Sequence, residues 1–185
     1  NSASFIEKNI RSIAALKIPF EHIIVDGGST DGTLEVLNNY PHLIILHQTE
    51  KLGMYHAIDL GFKKAKGDTI TWVNSDDYIV APVYERMYFK IKKDQSDLCY
   101  SDGELHFIKK NSYVKISGKK MPKFLLKEKI MPFIQPCSMY TMSIYEKVGG
   151  LDFKTFKISG DLDFFMKIAK KSSKRFSYVK EASIV

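Results

Sequence analysis

The sequence predicts an α/β fold built on a mostly parallel, doubly wound sheet with helices on both faces. Three short, almost wholly apolar runs carry that expectation: HIIVD (22–26), HLIILH (42–47) and TITWVN (69–74). Their length and composition suit strands buried on both faces. Each is followed by a stretch with helical spacing, and such alternation marks parallel strands joined by helical crossovers. A chain of 185 residues, 44% hydrophobic and 26% charged, can bury one substantial core.

Residues 4–16 read as an amphipathic helix, because Phe5, Ile6, Ile10, Ile13 and Leu16 recur at helical spacing. The first strand runs into GGSTDGT, a turn in which Ser29 or Thr30 can cap the helix LEVLNNY. After the second strand, residues 54–67 form a helix closed by Gly67. The third strand ends on Asn74, and residues 82–93 form a helix with Pro82 at its start. From residue 97 the pattern loosens. DLCYSDGELHFI, SYVKIS and SMYTMS read as less regular strands, with a short helix near 143–148. An amphipathic helix spans 160–171 and opens on acids, and RFSYV (175–179) closes as a strand. This change of character divides one domain into halves at 1–96 and 97–185.

Charge is divided as sharply. Residues 1–108 carry 11 basic against 15 acidic side chains, and residues 109–185 carry 17 against 6. Eight lysines and one acid fall between 109 and 130. A lysine-rich surface is commonly just solvated, but this one also suits an anionic membrane surface. Nucleic acid is not expected, since aromatic residues do not interleave with the basic ones in a recognised pattern. No apolar run approaches the ~20 residues of a membrane span, and the opening NSASFIEKNI lacks the apolar core of a leader. Cys99 and Cys137 suggest no disulfide framework. These features point to a cytoplasmic protein, with peripheral contact at the inner face of the plasma membrane as a further expectation.

In an open α/β sheet, ligands bind beyond the carboxyl ends of the strands. Two strands here end on acids, Asp26 and the pair Asp76–Asp77. Adjacent carboxylates repel and resist desolvation, so a positive partner is expected. Asp also favours turns, which gives such a pair an ordinary structural explanation. As chemistry, the set suits ligand hydroxyl or imide groups together with a hard cation, Mg²⁺ or Mn²⁺, that bridges to phosphate.

The blocks IIVDGGSTDGT, GMYHAIDLGFKKAKGDTITWVNSDD and GGLDFKTFKISGDLDFFMKIAKK, in that order, resemble glycosyltransferase family 2. The resemblance runs from about residue 4 to 180. It implies the GT-A fold, a nucleotide-sugar-binding half joined to an acceptor-binding half. It implies an inverting transferase that moves a sugar from a nucleotide-sugar donor, usually a UDP-sugar, to a hydroxyl of a glycan or lipid-linked saccharide. The setting it implies is cell-envelope polysaccharide biosynthesis. By the same resemblance Asp26 meets the base, Gly53, Met54 and Tyr55 pass the nucleoside, and Asp76 lies by the ribose. Asp77 holds Mn²⁺ or Mg²⁺ on the diphosphate, and Asp161 is the general base. Gln135 is implied at the acceptor pocket, with a structural hydrogen bond as the equal alternative; Asp163, two residues past Asp161, points elsewhere on a helix and reads as structural or supporting.

Physical chemistry is consistent with those implied roles. A diphosphate leaving group needs its charge neutralised. A sugar hydroxyl is a poor nucleophile, and a positioned carboxylate accelerates its attack by roughly 10²–10⁴-fold. Asp161 has a competing structural reading, because Asp is favoured near a helix start. The chain departs from the family pattern at Gly27, where a second acid is usual, at His56, where many relatives carry an acid, and at Gly160, before the base. Trp72 reads as core. The family also begins with a strand and a loop that would precede Asn1. Its absence from the sheet should leave a gap or altered pairing, so about ten or more residues upstream, including an apolar strand, are expected. Two alternatives are a nucleotidyltransferase, which would need a basic glycine-rich phosphate loop not found here, and a non-catalytic basic binding module.

Overall fold

The computed structural model describes residues 1–50, 52–107 and 111–184. Helix α1 (Ile6–Ala14) buries Ile6 and Ile10 against Leu37 of α2 (Thr33–Asn38). Strands β1 (His22–Asp26) and β2 (Leu43–His47) pair in parallel, from His22 opposite Leu43 to Asp26 opposite His47. Helix α3 (Met54–Lys64) crosses β1 closely at Gly61, where a Cβ would lie 3.4 Å from Val25 Cγ2. The first half therefore follows the expected strand–helix alternation.

A second sheet holds the remaining strands. Its centre is β4 (Leu98–Phe107). The start of β4 lies between β6 (Ser138–Thr141), antiparallel, and β7 (Ser177–Ala182), parallel. Past a register shift at Ser101–Asp102, its end pairs antiparallel with β5 (Ser112–Ile116). Gly103 sits at this bend, and a Cβ there would meet Ile134 Cδ1 at 2.5 Å and Cys137 Sγ at 2.6 Å. Only a glycine lets β4 pass beneath those side chains. The chain is thus α/β with parallel and antiparallel pairs in one fold, the antiparallel ones contributed by the second half.

Strand β3 (Thr69–Ile70) pairs antiparallel with β6. It is shorter than the 69–74 expected, and the reason is topological. Among the described residues β3 has no hydrogen-bonded neighbour on its other side, and β1 pairs only with β2. A cleft of about 760 Å³ separates β1 from β3, lined by Ile23, Val25, Ile70, Val73, Ile6 and Ile13 among others. This is the gap expected of a sheet without a strand at that place. β7 also begins two residues later than RFSYV suggested and runs on to Ala182.

Helices α4 (Ala81–Asp94), α5 (Pro122–Lys127), α6 (Met142–Val148) and α7 (Gly160–Lys171) complete the domain. The largest core cluster is aromatic. Trp72 stacks on Phe165 at 6.2 Å and 10°, and Phe62, Tyr140, Tyr145 and Phe164 close around them. Cys99 and Cys137 are buried and free, as expected, and burial pushes their thiols up to about 12 and about 11. No described helix is long and apolar enough to cross a membrane.

Candidate active site

The acidic turn after β3 is tied down from three directions. Asp77 N–H donates to Asn74 O at 3.1 Å, and Asn74 Nδ2 donates to Asp77 Oδ2 at 2.9 Å. From α1, the buried amide of Asn9 donates to the carbonyls of Asn74 (3.0 Å) and Asp77 (2.8 Å). Ser2 and Ser75 hydroxyls meet at 2.8 Å. The turn then leads into α4, with Pro82 in its first turn. Asp76 is exposed and Asp77 half-buried. Burial pushes the Asp77 carboxyl above its ordinary range; the Asn74 amide opposes the rise and the neighbouring Asp76 charge adds to it.

Asp26, at the carboxyl end of β1, is buried. Its Oδ2 accepts from the amides of Gly28 (2.8 Å) and Ser29 (3.1 Å), with His47 Nδ1 3.9 Å away. Burial raises this carboxyl, but the Ser29 and Gly28 donors and His47 outweigh it and hold the group below its ordinary value. Gly28 takes φ +94° to present its amide, a conformation natural to glycine. Gly53 opens α3 at φ +95°, also in the region natural to glycine, and its carbonyl accepts from Gln48 Nε2 at 3.2 Å.

Helix α7 presents Asp161 in its first turn, behind Ser159 in the left-handed region. The Asp161 carboxylate accepts a hydrogen bond from the Tyr55 hydroxyl at 3.2 Å. Asp163 points to a different partner, Lys167, at 2.6 Å one turn on. Gln135, in the 3-10 turn before β6, donates its amide to Trp72 O at 2.9 Å. His56 meets Gln48 Nε2 at 2.9 Å and lies against Phe153.

These elements enclose a second cavity of about 470 Å³, lined by Met54, Tyr55, Trp72, Asn74, Asp76, Gln135, Pro136 and Asp161. Five of the residues singled out from sequence thus meet around one space. Asp26 lines the larger cleft instead, and Met54, Trp72 and Asn74 line both. Gly53, Asp77 and Asp163 line neither. Sequence reasoning passed over Asn9. Its signal was there: a polar amide on the apolar stripe of α1, three residues from Ile6 and beside Ile10. Trp72 reads as core from sequence. It is core, and one edge also faces the site.

The donor set near the acidic turn is a pair of carboxylates, not a closed cage. Among the described residues no three His, Cys, Asp or Glu side chains converge. Carboxylate oxygens that leave most positions open suit Mg²⁺ or Mn²⁺, which keep waters and substrate phosphates as ligands. The raised Asp77 carboxyl beside Asp76 is an environment that a cation would relieve.

The family model described as "Glycosyl transferase family 2" matches residues 1–149. The poly(ribitol-phosphate) beta-glucosyltransferase of Bacillus spizizenii is 32% identical over 136 residues, 69% of this chain and 20% of that one. S. aureus TarS 1-349 in complex with UDP superposes with a TM-score of 0.79 at 20% identity, over 100% of this chain and 56% of that one. The mannosyltransferase PcManGT of Pyrobaculum calidifontis, in complex with GDP-Man and Mn²⁺, gives 0.72 at 18%, over 100% and 53%. The solved structures show the GT-A fold in this chain. The chain spans about a third or less of the length of the first curated relatives it matches.

Proposed function

Because the chain belongs to glycosyltransferase family 2, we propose that it forms the catalytic domain of an inverting glycosyltransferase. It takes a sugar from a nucleotide-sugar donor, a UDP-sugar, to a hydroxyl of a glycan or lipid-linked saccharide acceptor. One observation carries the reading. Asp76, from the first half, and Asp161, from the second, line one 470 Å³ cavity. The domain divides at residues 96–97 into a donor half and an acceptor half.

Asp26 and Asp76 hold the nucleoside end of the donor, and the segment Gly53, Met54 and Tyr55 passes it with its backbone while the Tyr55 side chain turns away to Asp161. Asp77, with Asp76 beside it at the ribose, would hold Mn²⁺ or Mg²⁺, which would neutralise the leaving diphosphate. Asp161 accepts the proton of the acceptor hydroxyl as its oxygen attacks the anomeric carbon. The bond from that carbon to the diphosphate breaks with its electron pair on the diphosphate. In-line displacement of this kind inverts the centre and needs no covalent nucleophile. Gln135 borders the acceptor space while its amide braces Trp72, and Asp163 steadies the helix through Lys167.

The setting we propose is the cytoplasmic face of the plasma membrane, in assembly of envelope polysaccharide. Lys119, Lys120, Lys127 and Lys129 are exposed, and Met121, Phe124 and Ile130 of the same segment are 68%, 54% and 51% exposed. Cations interleaved with large exposed apolar side chains suit an anionic lipid surface. Lys109 and Lys110 of that run lie outside the described residues.

Calorimetric titration with UDP tests the donor site. UDP should bind with Mn²⁺ and much more weakly with EDTA, and Asp77→Ala should remove the difference. Equal affinity in both conditions contradicts the metal role, and no UDP binding in either contradicts the donor assignment.

A further inference from the structure

Asp161 does not stand alone in the cavity. Its carboxylate is held by a residue from the opposite half of the domain, 106 positions away: the Tyr55 hydroxyl donates to Asp161 Oδ1 at 3.2 Å. Tyr55 projects from the first turn of α3 and is 6% exposed. Its ring lies against the start of α7. A Cβ at Gly160 would come within 2.8 Å of Tyr55 Cε2 and 2.9 Å of Cδ2, closer than side-chain carbons approach. Gly160 has no left-handed φ. Glycine is needed there for space, and the space is what lets the Tyr55 ring reach the residue that follows.

We propose that Tyr55 is a positioning residue for Asp161: its hydroxyl fixes the carboxylate through Oδ1 and leaves Oδ2 to take the acceptor proton. Gly160 is the counterpart that admits the ring. The proposal rests on the reading of Asp161 as the base. A carboxylate in the first turn of a helix can rotate about its side-chain bonds, and a donor on one oxygen removes that freedom before the acceptor arrives. Burial pushes the Tyr55 phenol above its ordinary range, so it remains a donor throughout the neutral region. Trp72 and Pro136 wall the same space, and Asp76 is the other carboxylate in its lining.

The test compares Tyr55→Phe, Asp161→Asn and the double variant in the whole chain. UDP release is followed from UDP-glucose, UDP-galactose and UDP-N-acetylglucosamine with water as acceptor, and UDP affinity and melting temperature are measured on the same samples. Tyr55→Phe should lower kcat by about tenfold, with KM for the sugar nucleotide and UDP affinity within about twofold of the parent. In the Asp161→Asn background the same substitution should cost nothing further, since it acts through that carboxylate. Gly160→Ala should lower kcat as well, and adding Tyr55→Phe to it should lose little more.

Full kcat in Tyr55→Phe, with Asp161→Asn slow, overturns the positioning role and leaves the base in place. A second tenfold loss in the Asp161→Asn background also overturns it, because Tyr55 would then act on substrate directly. Undiminished kcat in Asp161→Asn overturns the base assignment itself.

Discussion

At the scale of single residues, the polar groups of the first half are held more firmly than their exposed-turn sequences suggest. Asn9 is the plainest case: one buried amide from α1 satisfies two carbonyls of the acidic turn. A residue of another kind sets acid sensitivity. His22, at the start of β1, is buried with its Nδ1 unpaired among the described residues. Burial, with His42 nearby, lowers its pKa from 6.5 to about 4. An unfolded chain takes a proton on this imidazole near pH 6.5, while the folded chain refuses it until about pH 4. Stability from the neutral imidazole is therefore complete above 6.5 and falls as pH drops towards 4. We predict a loss on the order of 2 kcal/mol across that window, read by urea denaturation. His22→Leu should flatten the profile there, and an unchanged slope would assign the acid sensitivity to another group.

Among elements, the helices were the most legible. The 3.6-residue spacing of 160–171 matches α7 as Gly160–Lys171, and Pro82 marks the first turn of α4. The strands were legible in composition but not in pairing. TITWVN reads as six residues of buried strand, yet only Thr69–Ile70 is paired, because pairing depends on a neighbour and not on the run itself. The bend in β4 was also hidden: a glycine in YSDGELHF gives no sign of which side chains pass over it. The structure supplies that, and with it a prediction. Gly103→Ala would drive a methyl group into Ile134 and Cys137. We expect a destabilisation of about 1–3 kcal/mol, measured by chemical denaturation, since overpacking forces the neighbours off their rotamers. Gly103→Ala with parental stability would mean that β4 yields at this point.

At the scale of the whole molecule, the sequence marks candidate residues more readily than it places them. Asp26, Asp76, Asp77 and Asp161 stood out through motif and spacing. That Asp26 lines the cleft beside β1, while Asp76 and Asp161 line one smaller cavity, depends on how the two sheets sit together. The basic surface belongs to this scale too. At roughly 1 kcal/mol for each well-placed lysine, the exposed side chains of segment 119–130 should bind vesicles containing phosphatidylglycerol and not pure phosphatidylcholine. Added salt should release the protein, and Met121→Ser with Phe124→Ser should weaken what remains. Sedimentation indifferent to both lipid charge and salt would set the membrane contact aside.

In the proposed mechanism the two halves meet at Asp161. The substitution Asp161→Asn keeps the size of the side chain and removes its capacity to accept a proton. The decisive measurement is its sugar-nucleotide turnover beside its UDP affinity, in one preparation. Turnover should slow by on the order of 10²-fold or more, with UDP affinity and melting temperature close to the parent's. Turnover that survives, or turnover lost together with UDP binding and the fold, would contradict the mechanism.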